Sequence, residues 1–147
     1  MSKTIKAEIT CPKCKITQVC NIYASMNVSI DPELKKEFIS NKWNIFNCNK
    51  CGNVMPIFSD MLYHDMDSKF IVWYIPIESV ETYDHKFLGK YPDFPKPIVV
   101  KNREDTILMV HLCDKNGAPK SEEEKDKYFQ VIKEIRETYK KVDNLRI

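Results

Sequence analysis

The residues of this sequence best suited to chemistry, by their type and spacing, are two pairs of cysteines that could bind a metal ion. They are Cys11-Pro-Lys-Cys14 and Cys48-Asn-Lys-Cys51. A two-residue spacer lets both sulfurs of a pair face one ion from a single tight turn, and two such turns complete a tetrahedral set of four thiolates. We therefore predict one structural Zn²⁺ per chain, bound by Cys11, Cys14, Cys48 and Cys51. A closed set leaves no open coordination position, so the metal is expected to hold the fold.

The same cysteines could instead cycle between dithiol and disulfide forms. A redox pair of this kind normally occurs once, at the start of a helix beside a strand, whereas here two pairs lie among strand-like residues. We favour zinc and keep a thiol redox or zinc-release switch as an alternative. The other two cysteines, Cys20 and Cys113, lie in apolar segments and are predicted to be buried and inert.

The 33 residues between Cys14 and Cys48 exceed the spacing of a compact zinc ribbon, so we predict a ribbon split by an inserted unit. Apolar alternation and β-branched residues predict strands near residues 4–9, 16–29, 43–46, 54–59, 70–75 and 98–101. The 70–75 strand has apolar residues on both faces, which is typical of a central strand. Asp31 is predicted to cap the short inserted helix, with Pro32 at its first position.

Two further helices are predicted near the C-terminus. Asn102 could cap a helix that runs to about Leu112, with a strand from Thr106 to Cys113 as the alternative. Ser121 and Glu124 form a capping box for the last helix. Its apolar residues recur at intervals of four and three, namely Tyr128, Ile132, Ile135, Tyr139 and Val142. We expect this helix to pack on its own domain, with a homodimer through it as the alternative.

These elements predict an α+β fold: an antiparallel β-sheet built around a split four-cysteine zinc ribbon, with a short inserted helix and a long C-terminal helix. Residues 1–118 are predicted to form the ribbon domain and residues 119–147 the C-terminal helix. The chain of 147 residues is 43% apolar and 30% charged, which suits one soluble domain. It shows neither a membrane span nor the apolar core of a signal peptide, so we expect a cytoplasmic protein that does not bind membranes.

The function predicted from these features is that of a non-enzymatic zinc-binding module that mediates protein interactions. The net charge is only +2, and this balance disfavours nucleic acid as the partner, because such binding needs a concentrated basic face. An enzyme with a pocket near His64, Asp65 and His85, beside a proline-rich loop at residues 91–97, is the alternative. Residues 63–65 are predicted to be turn material, and no nucleophile lies near them in the sequence.

Five short motifs, taken in order, resemble the CpXC domain family of bacteria and archaea. They are Cys11-Pro-Lys-Cys14, Asp31-Pro-Glu-Leu34, Cys48-Asn-Lys-Cys51-Gly52, Tyr63-His-Asp65 and Phe70-Ile-Val-Trp-Tyr-Ile-Pro76. The resemblance covers about residues 8 to 113 and leaves the helix after Pro119 unmatched. It implies a split zinc ribbon with the four cysteines of the two pairs as metal ligands, and it implies no substrate. Lys15 departs from the family pattern, in which a glycine often follows the first pair.

Overall fold

The computed structural model describes residues 2–76 and 96–145, and within these ranges the chain forms seven strands and three helices. The strands are β1 (Lys3–Thr10), β2 (Thr17–Asn27), β3 (Ile45–Asn47), β4 (Val54–Pro56), β5 (Met61–Asp65), β6 (Phe70–Tyr74) and β7 (Ile98–Val100). The helices are α1 (Glu33–Ile39), α2 (Arg103–Asn116) and α3 (Glu122–Leu145). The predicted α+β class, with a short inserted helix and a long C-terminal one, is confirmed.

Five of the strands form one sheet in the order β1-β2-β5-β6-β7, and β3 pairs with β4 in a separate two-stranded sheet. The pairs β1–β2, β5–β6 and β3–β4 are antiparallel, as expected. The pairs β2–β5 and β6–β7 are parallel, so the larger sheet is mixed. The connection from β2 to β5 passes through α1 and the β3–β4 sheet, and this long crossover is what allows parallel pairing.

The main hydrophobic core lies under β5 and β6. Four of the five side chains of β6 are buried, and β6 lies between β5 and β7, which confirms the prediction of a central strand. The prediction of a turn at residues 63–65 is wrong, because these residues belong to β5, whose burial alternates along the strand. The turn begins after Asp65, whose Oδ1 accepts a hydrogen bond from the Ser68 amide at 2.9 Å.

Helices α1 and α2 differ in how closely their starts follow the sequence signals. The predicted cap of α1 is wrong: Pro32 occupies the N-cap position, and no side chain caps this helix. The cap of α2 is confirmed, because the Asn102 side chain accepts a hydrogen bond from the Asp105 amide at 2.9 Å. Helix α2 continues to Asn116, so the strand alternative for residues 106–113 is wrong.

The first half of α3 packs against the body of the protein. Ser121 Oγ accepts a hydrogen bond from the Glu124 amide at 3.1 Å, as the capping box predicts. Tyr128 and Ile132 are buried in the main core, whereas Tyr139 is 67% exposed. His85 and residues 91–95 of the predicted loop at 91–97 lie outside the described residues. No helix within the described ranges is long and apolar enough to cross a bilayer.

Candidate metal centre

The four cysteines predicted as ligands come together at one point between the two sheets. All four Sγ atoms lie within 4.8 Å of one another, and among the described residues they form the one group of three or more side chains suited to a metal ion. Contacts between the turns join Cys11 Sγ to Cys51 Sγ at 3.6 Å and Cys14 Sγ to Cys48 Sγ at 3.5 Å. The β1–β2 turn supplies the first pair and the β3–β4 turn the second, so the site connects two separate sheets.

The two turns have the same backbone hydrogen bonds. In each turn, the amide of the first cysteine donates to the carbonyl five residues later, and the amide four residues later donates back to the carbonyl of that cysteine. The first turn has Cys11 N to Ile16 O and Lys15 N to Cys11 O, both at 2.9 Å; the second has Cys48 N to Asn53 O at 2.8 Å and Gly52 N to Cys48 O at 3.0 Å. The turns are therefore two copies of one local structure.

Each turn also has a left-handed residue directly after its second cysteine. Gly52 has φ +75°, a conformation that glycine adopts without steric cost. Lys15 occupies the equivalent place in the first turn with φ 65°. The departure from the family pattern at Lys15 is therefore a change of residue at a position whose backbone still has the glycine-like conformation.

The surroundings of the sulfurs favour thiolate at the first cysteine of each turn. Backbone N–H groups, that of Cys14 first, lower the pKa of Cys11 to about 6 despite the opposing effect of burial. The amide of Cys51 is the main cause of a lowered pKa at Cys48. At Cys51 the Asn53 amide lowers the pKa, but burial and the neighbouring thiols outweigh it and raise the pKa to about 11. Four sulfurs with N–H donors aimed at two of them form a donor set that fits a thiophilic, tetrahedral metal ion.

A small hydrophobic core supports the sulfurs. Cys11 and Cys48 are buried in it together with Ile22, Phe46 and Ile57. Cys14 is half-buried and Cys51 is exposed, so one edge of the site faces solvent.

The two remaining cysteines are separate from the group of four. Cys20 was predicted to be buried, but it is only half-buried; it packs against this small core without joining the sulfur group. Cys113 is buried in the main core, as predicted, and burial raises the pKa of its thiol to about 12.

Sequence reasoning missed two polar residues that fix the turns in place. The Gln18 side chain donates to Asn47 O at 2.9 Å and accepts from the Asn49 amide at 3.0 Å, so it joins β2 to the second cysteine turn. The buried Asn44 side chain bonds both backbone groups of Tyr23, accepting from its amide at 2.7 Å and donating to its carbonyl at 2.9 Å. Asn44 has φ 48°, which asparagine tolerates well, but its sequence context gives no sign of a partner 21 residues away.

The structure does not assemble a catalytic group from His64 and Asp65. They are neighbours on β5, so their side chains point to opposite faces of the sheet. Asp65 closes the following turn and accepts a hydrogen bond from Ser29 Oγ at 3.5 Å. His64 is half-buried, and burial lowers its pKa. His85, the third residue of this alternative, lies outside the described residues.

A comparison with protein families gives one match that covers nearly the whole chain. The model of the family described as CpXC protein matches residues 9–146, a range that includes both cysteine pairs and α3. The resemblance inferred from the five motifs is thereby confirmed, and the match also extends through the helix that the motifs left unmatched. No curated protein and no solved structure matches the chain.

Proposed function

Because the chain belongs to the CpXC protein family and brings four cysteines together, we propose that it is a non-enzymatic binding module with one structural Zn²⁺. Cys11, Cys14, Cys48 and Cys51 would hold the ion. The observation that carries the proposal is the grouping of four sulfurs within 4.8 Å of one another, contributed by two turns of the same structure. Four thiolates complete a tetrahedral shell, which leaves no position for a substrate or a reactive water.

The charge around the turns supports a divalent ion with four thiolates. Zn²⁺ with four thiolate ligands carries a net charge of about −2. Lys13 and Lys50 occupy the same position between the two cysteines of their turns, and both are exposed. Their ammonium groups can offset the negative charge of the centre through solvent without burying a charge.

The proposed role of the ion is to attach the β3–β4 sheet to the β1–β2 hairpin. Among the residues that the structure describes, the core between them contains five buried ones, two of which are the cysteines themselves. Such a small apolar contact supplies little free energy, whereas zinc binding to four cysteines contributes on the order of 10 kcal/mol at neutral pH. The metal would therefore fix a surface formed by two otherwise weakly attached sheets.

A comparison of cysteine variants tests the ligand set. Co²⁺ bound by four thiolates absorbs visible light, so a Co²⁺ titration of the metal-free chain reports directly on the site. We expect one Co²⁺ per chain in the wild type and in Cys20→Ser, and loss of the thiolate-bound spectrum in Cys51→Ser. Cys20 is the matched control, since it packs against the same small core without joining the sulfur group. Equal loss in Cys20→Ser and Cys51→Ser would contradict the proposal.

We propose that the bound partner is a protein and that it contacts the outer face of β3 and β4. Phe46 and Met55 pair across these strands and face the small core, so Ile45 and Val54 lie on the opposite face. Val54 is 60% exposed and Ile45 is also exposed. Exposed apolar side chains on a surface fixed by a metal favour contact with another apolar surface, whereas the balanced charge of the chain gives nucleic acid less support.

Two valine variants test this surface. Val54→Asp places a charge on the outer face of β4, and Val19→Asp is the control because Val19 is 61% exposed on β2. We expect a protein that is retained from lysate by the immobilised wild-type chain and by Val19→Asp, but not by Val54→Asp. Retention that is equal for all three chains, or recovery of nucleic acid alone, would refute a protein partner at this face.

A further inference from the structure

The first strand of the larger sheet has one edge that no described strand covers. β1 is eight residues long and stands first in the strand order, so β2 is its one neighbour among the strands that the structure describes. Its pairing with β2 is regular from Thr4 to Thr10, and it contains no proline. An unpaired strand edge is a template for another strand. This edge is long and regular enough to serve as one.

Contacts at both ends of β1 show which of its backbone groups face outward. Alternate residues of an antiparallel strand direct their N–H and C=O groups to opposite sides. At one end, the Cys11 amide donates to Ile16 O, so Cys11 faces β2. At the other end, Thr4 lies opposite Tyr23, whose amide and carbonyl bond the Asn44 side chain instead of Thr4. The even-numbered residues of β1 therefore direct their backbone groups away from β2, and the odd-numbered ones direct theirs towards it.

The sequence of β1 is self-complementary in one antiparallel register. A two-fold axis through Ala7, perpendicular to the sheet, gives every residue from 4 to 10 a partner in a second copy. The pairs are Lys6 with Glu8, Ile5 with Ile9, Thr4 with Thr10, and Ala7 with its own copy. The even-numbered pairs are then the hydrogen-bonded pairs, so the outward backbone groups of the two copies meet.

Charge selects this register over its neighbours. Moving the axis to Lys6 or to Glu8 also lets the outward groups meet, but it places that residue opposite its own copy. Like charges directly opposite each other destabilise a strand pair, whereas opposite charges stabilise it. The axis at Ala7 forms two pairs of Lys6 with Glu8, and both side chains are exposed on β1. A lysine on a strand edge usually opposes pairing, but here the glutamate two residues later supplies its partner.

The apolar face of β1 agrees with the same register. Ala7 and Ile9 pack against the small core, whereas Ile5 on the same face is 40% exposed. With the axis at Ala7, Ile5 lies opposite Ile9 of the second copy, and this apolar cross-strand pair covers it. We propose that the chain forms a two-fold dimer in which β1 pairs antiparallel with β1 of a second copy. The two five-stranded sheets then form one continuous sheet.

Charge variants test the proposed register by sedimentation velocity of the full chain over a range of concentrations. The seven paired residues a side make a small interface, so we expect a dissociation constant on the order of 10–100 µM. Lys6→Glu and Glu8→Lys should each weaken the dimer about fivefold or more, because like charges then face each other twice. An equimolar mixture of the two variants should regain the wild-type affinity, since each pair again joins opposite charges.

Two results of this experiment would overturn the proposal. One is a wild-type chain that stays monomeric at about 1 mM, well above the expected dissociation constant. The other is a mixture of Lys6→Glu and Glu8→Lys that associates no more tightly than either variant alone. Recovery in the mixture also shows that both variants are folded, because unfolded chains have no β1 edge to pair.

Hydrogen exchange tests which backbone groups join the two copies. Raising the concentration through the dissociation constant should slow exchange at the Lys6 and Glu8 amides, which face outward. The amides of Ala7 and Ile9 face β2 in the monomer already, so their exchange should change much less. Slowing that is equal at all four amides, or absent from all of them, would contradict pairing through this edge.

Two control variants on α3 separate this dimer from other forms of association. Lys133→Glu makes the same charge change as Lys6→Glu at an exposed position, and it should leave the dissociation constant unchanged. Tyr139→Asp places a charge on the exposed end of the apolar stripe of α3, and the dimer should also tolerate it. Equal weakening by Lys133→Glu and Lys6→Glu would show a general charge effect and overturn the proposal. A dimer that is lost in Tyr139→Asp and kept in Lys6→Glu would place the contact on α3 instead.

Discussion

The left-handed residues of the two cysteine turns make opposite predictions for two substitutions. A Cβ added at Gly52 would meet nothing within 4 Å, so Gly52→Ala causes no clash but introduces strain at φ +75°. That strain is about 1–2 kcal/mol for a residue with a side chain. Alanine also restricts the unfolded chain, which offsets about 0.4–1 kcal/mol and leaves a net cost of about 0.5–1 kcal/mol. Lys15 already bears such strain at φ 65°. Lys15→Gly removes this strain, but it also raises the conformational entropy of the unfolded chain, which costs about 0.4–1 kcal/mol of folding stability. The net gain in the free energy of unfolding is about 0.5–1 kcal/mol.

These changes should appear in the affinity for the metal, because the ion binds only the folded turns. A loss of 1.4 kcal/mol is a factor of about ten in a dissociation constant. Competition for Zn²⁺ with a chromophoric chelator should therefore show binding about 2–5-fold weaker in Gly52→Ala, and about 2–5-fold tighter in Lys15→Gly. Urea unfolding of the zinc-loaded chains measures the same changes as free energies of unfolding.

Gly117→Ala is the matched control for this comparison. Gly117 also has a positive φ, +87°, and also has open space around it, but it follows α2 and is distant in sequence from both turns. We expect Gly117→Ala to lower the free energy of unfolding by at least as much, because its ψ of 169° belongs to a region that is essentially restricted to glycine, without changing the affinity for zinc. Equal zinc affinities for Gly52→Ala, Lys15→Gly and the wild type would refute the link between turn conformation and metal binding.

Three further predictions follow from contacts elsewhere in the chain. Asn44→Ala leaves both backbone groups of Tyr23 without their side-chain partner and should lower the free energy of unfolding by about 2–4 kcal/mol in a urea melt. Asn49→Ala, at an exposed position, is the control and should lower it by less than about 0.5 kcal/mol. Cys113 should resist iodoacetamide at pH 8 until the chain unfolds, because a thiol with a pKa raised to about 12 is protonated at that pH; peptide mapping that finds it alkylated in the native chain would contradict its burial. Removal of zinc by a strong chelator should abolish the protection of backbone amides from hydrogen exchange in β3 and β4. The amides of β6 should stay protected, since the main core contains none of the four cysteines. Uniform loss of protection would show instead that the metal supports the entire fold.

The sequence predicted the features that depend on local signals. The spacing of each cysteine pair is set within one turn, so the four residues could be named without knowledge of the fold. The cap of α2 at Asn102 and the Ser121 side of the capping box are likewise local, and both are confirmed. The Glu124 side chain accepts from the Lys120 amide at 3.4 Å, so the reciprocal bond goes to the residue before Ser121. The cap predicted at Asp31 failed because Pro32 itself takes the N-cap position, a shift of one residue that local preference does not resolve.

Features that depend on distant contacts were not predictable. The parallel pairing of β2 with β5 follows from the path of the connecting chain. Residues 63–65 were misread as a turn because their polar side chains hide a strand whose alternate residues are buried. The burial of Arg103 depends on Trp43, which is 60 residues away in sequence, and nothing near either residue indicates that contact.

The measurement that tests the central claim most directly is native mass spectrometry of the untagged chain, combined with elemental analysis of the same sample. We expect one zinc per chain in the wild type. We expect no bound zinc in a variant that lacks Cys11, Cys14, Cys48 or Cys51 as a ligand. The same spectrum reports whether the chain is a monomer or a dimer. A metal-free chain whose mass is lower by two or four hydrogens would instead show disulfides, and it would contradict the structural zinc site in favour of thiol redox chemistry.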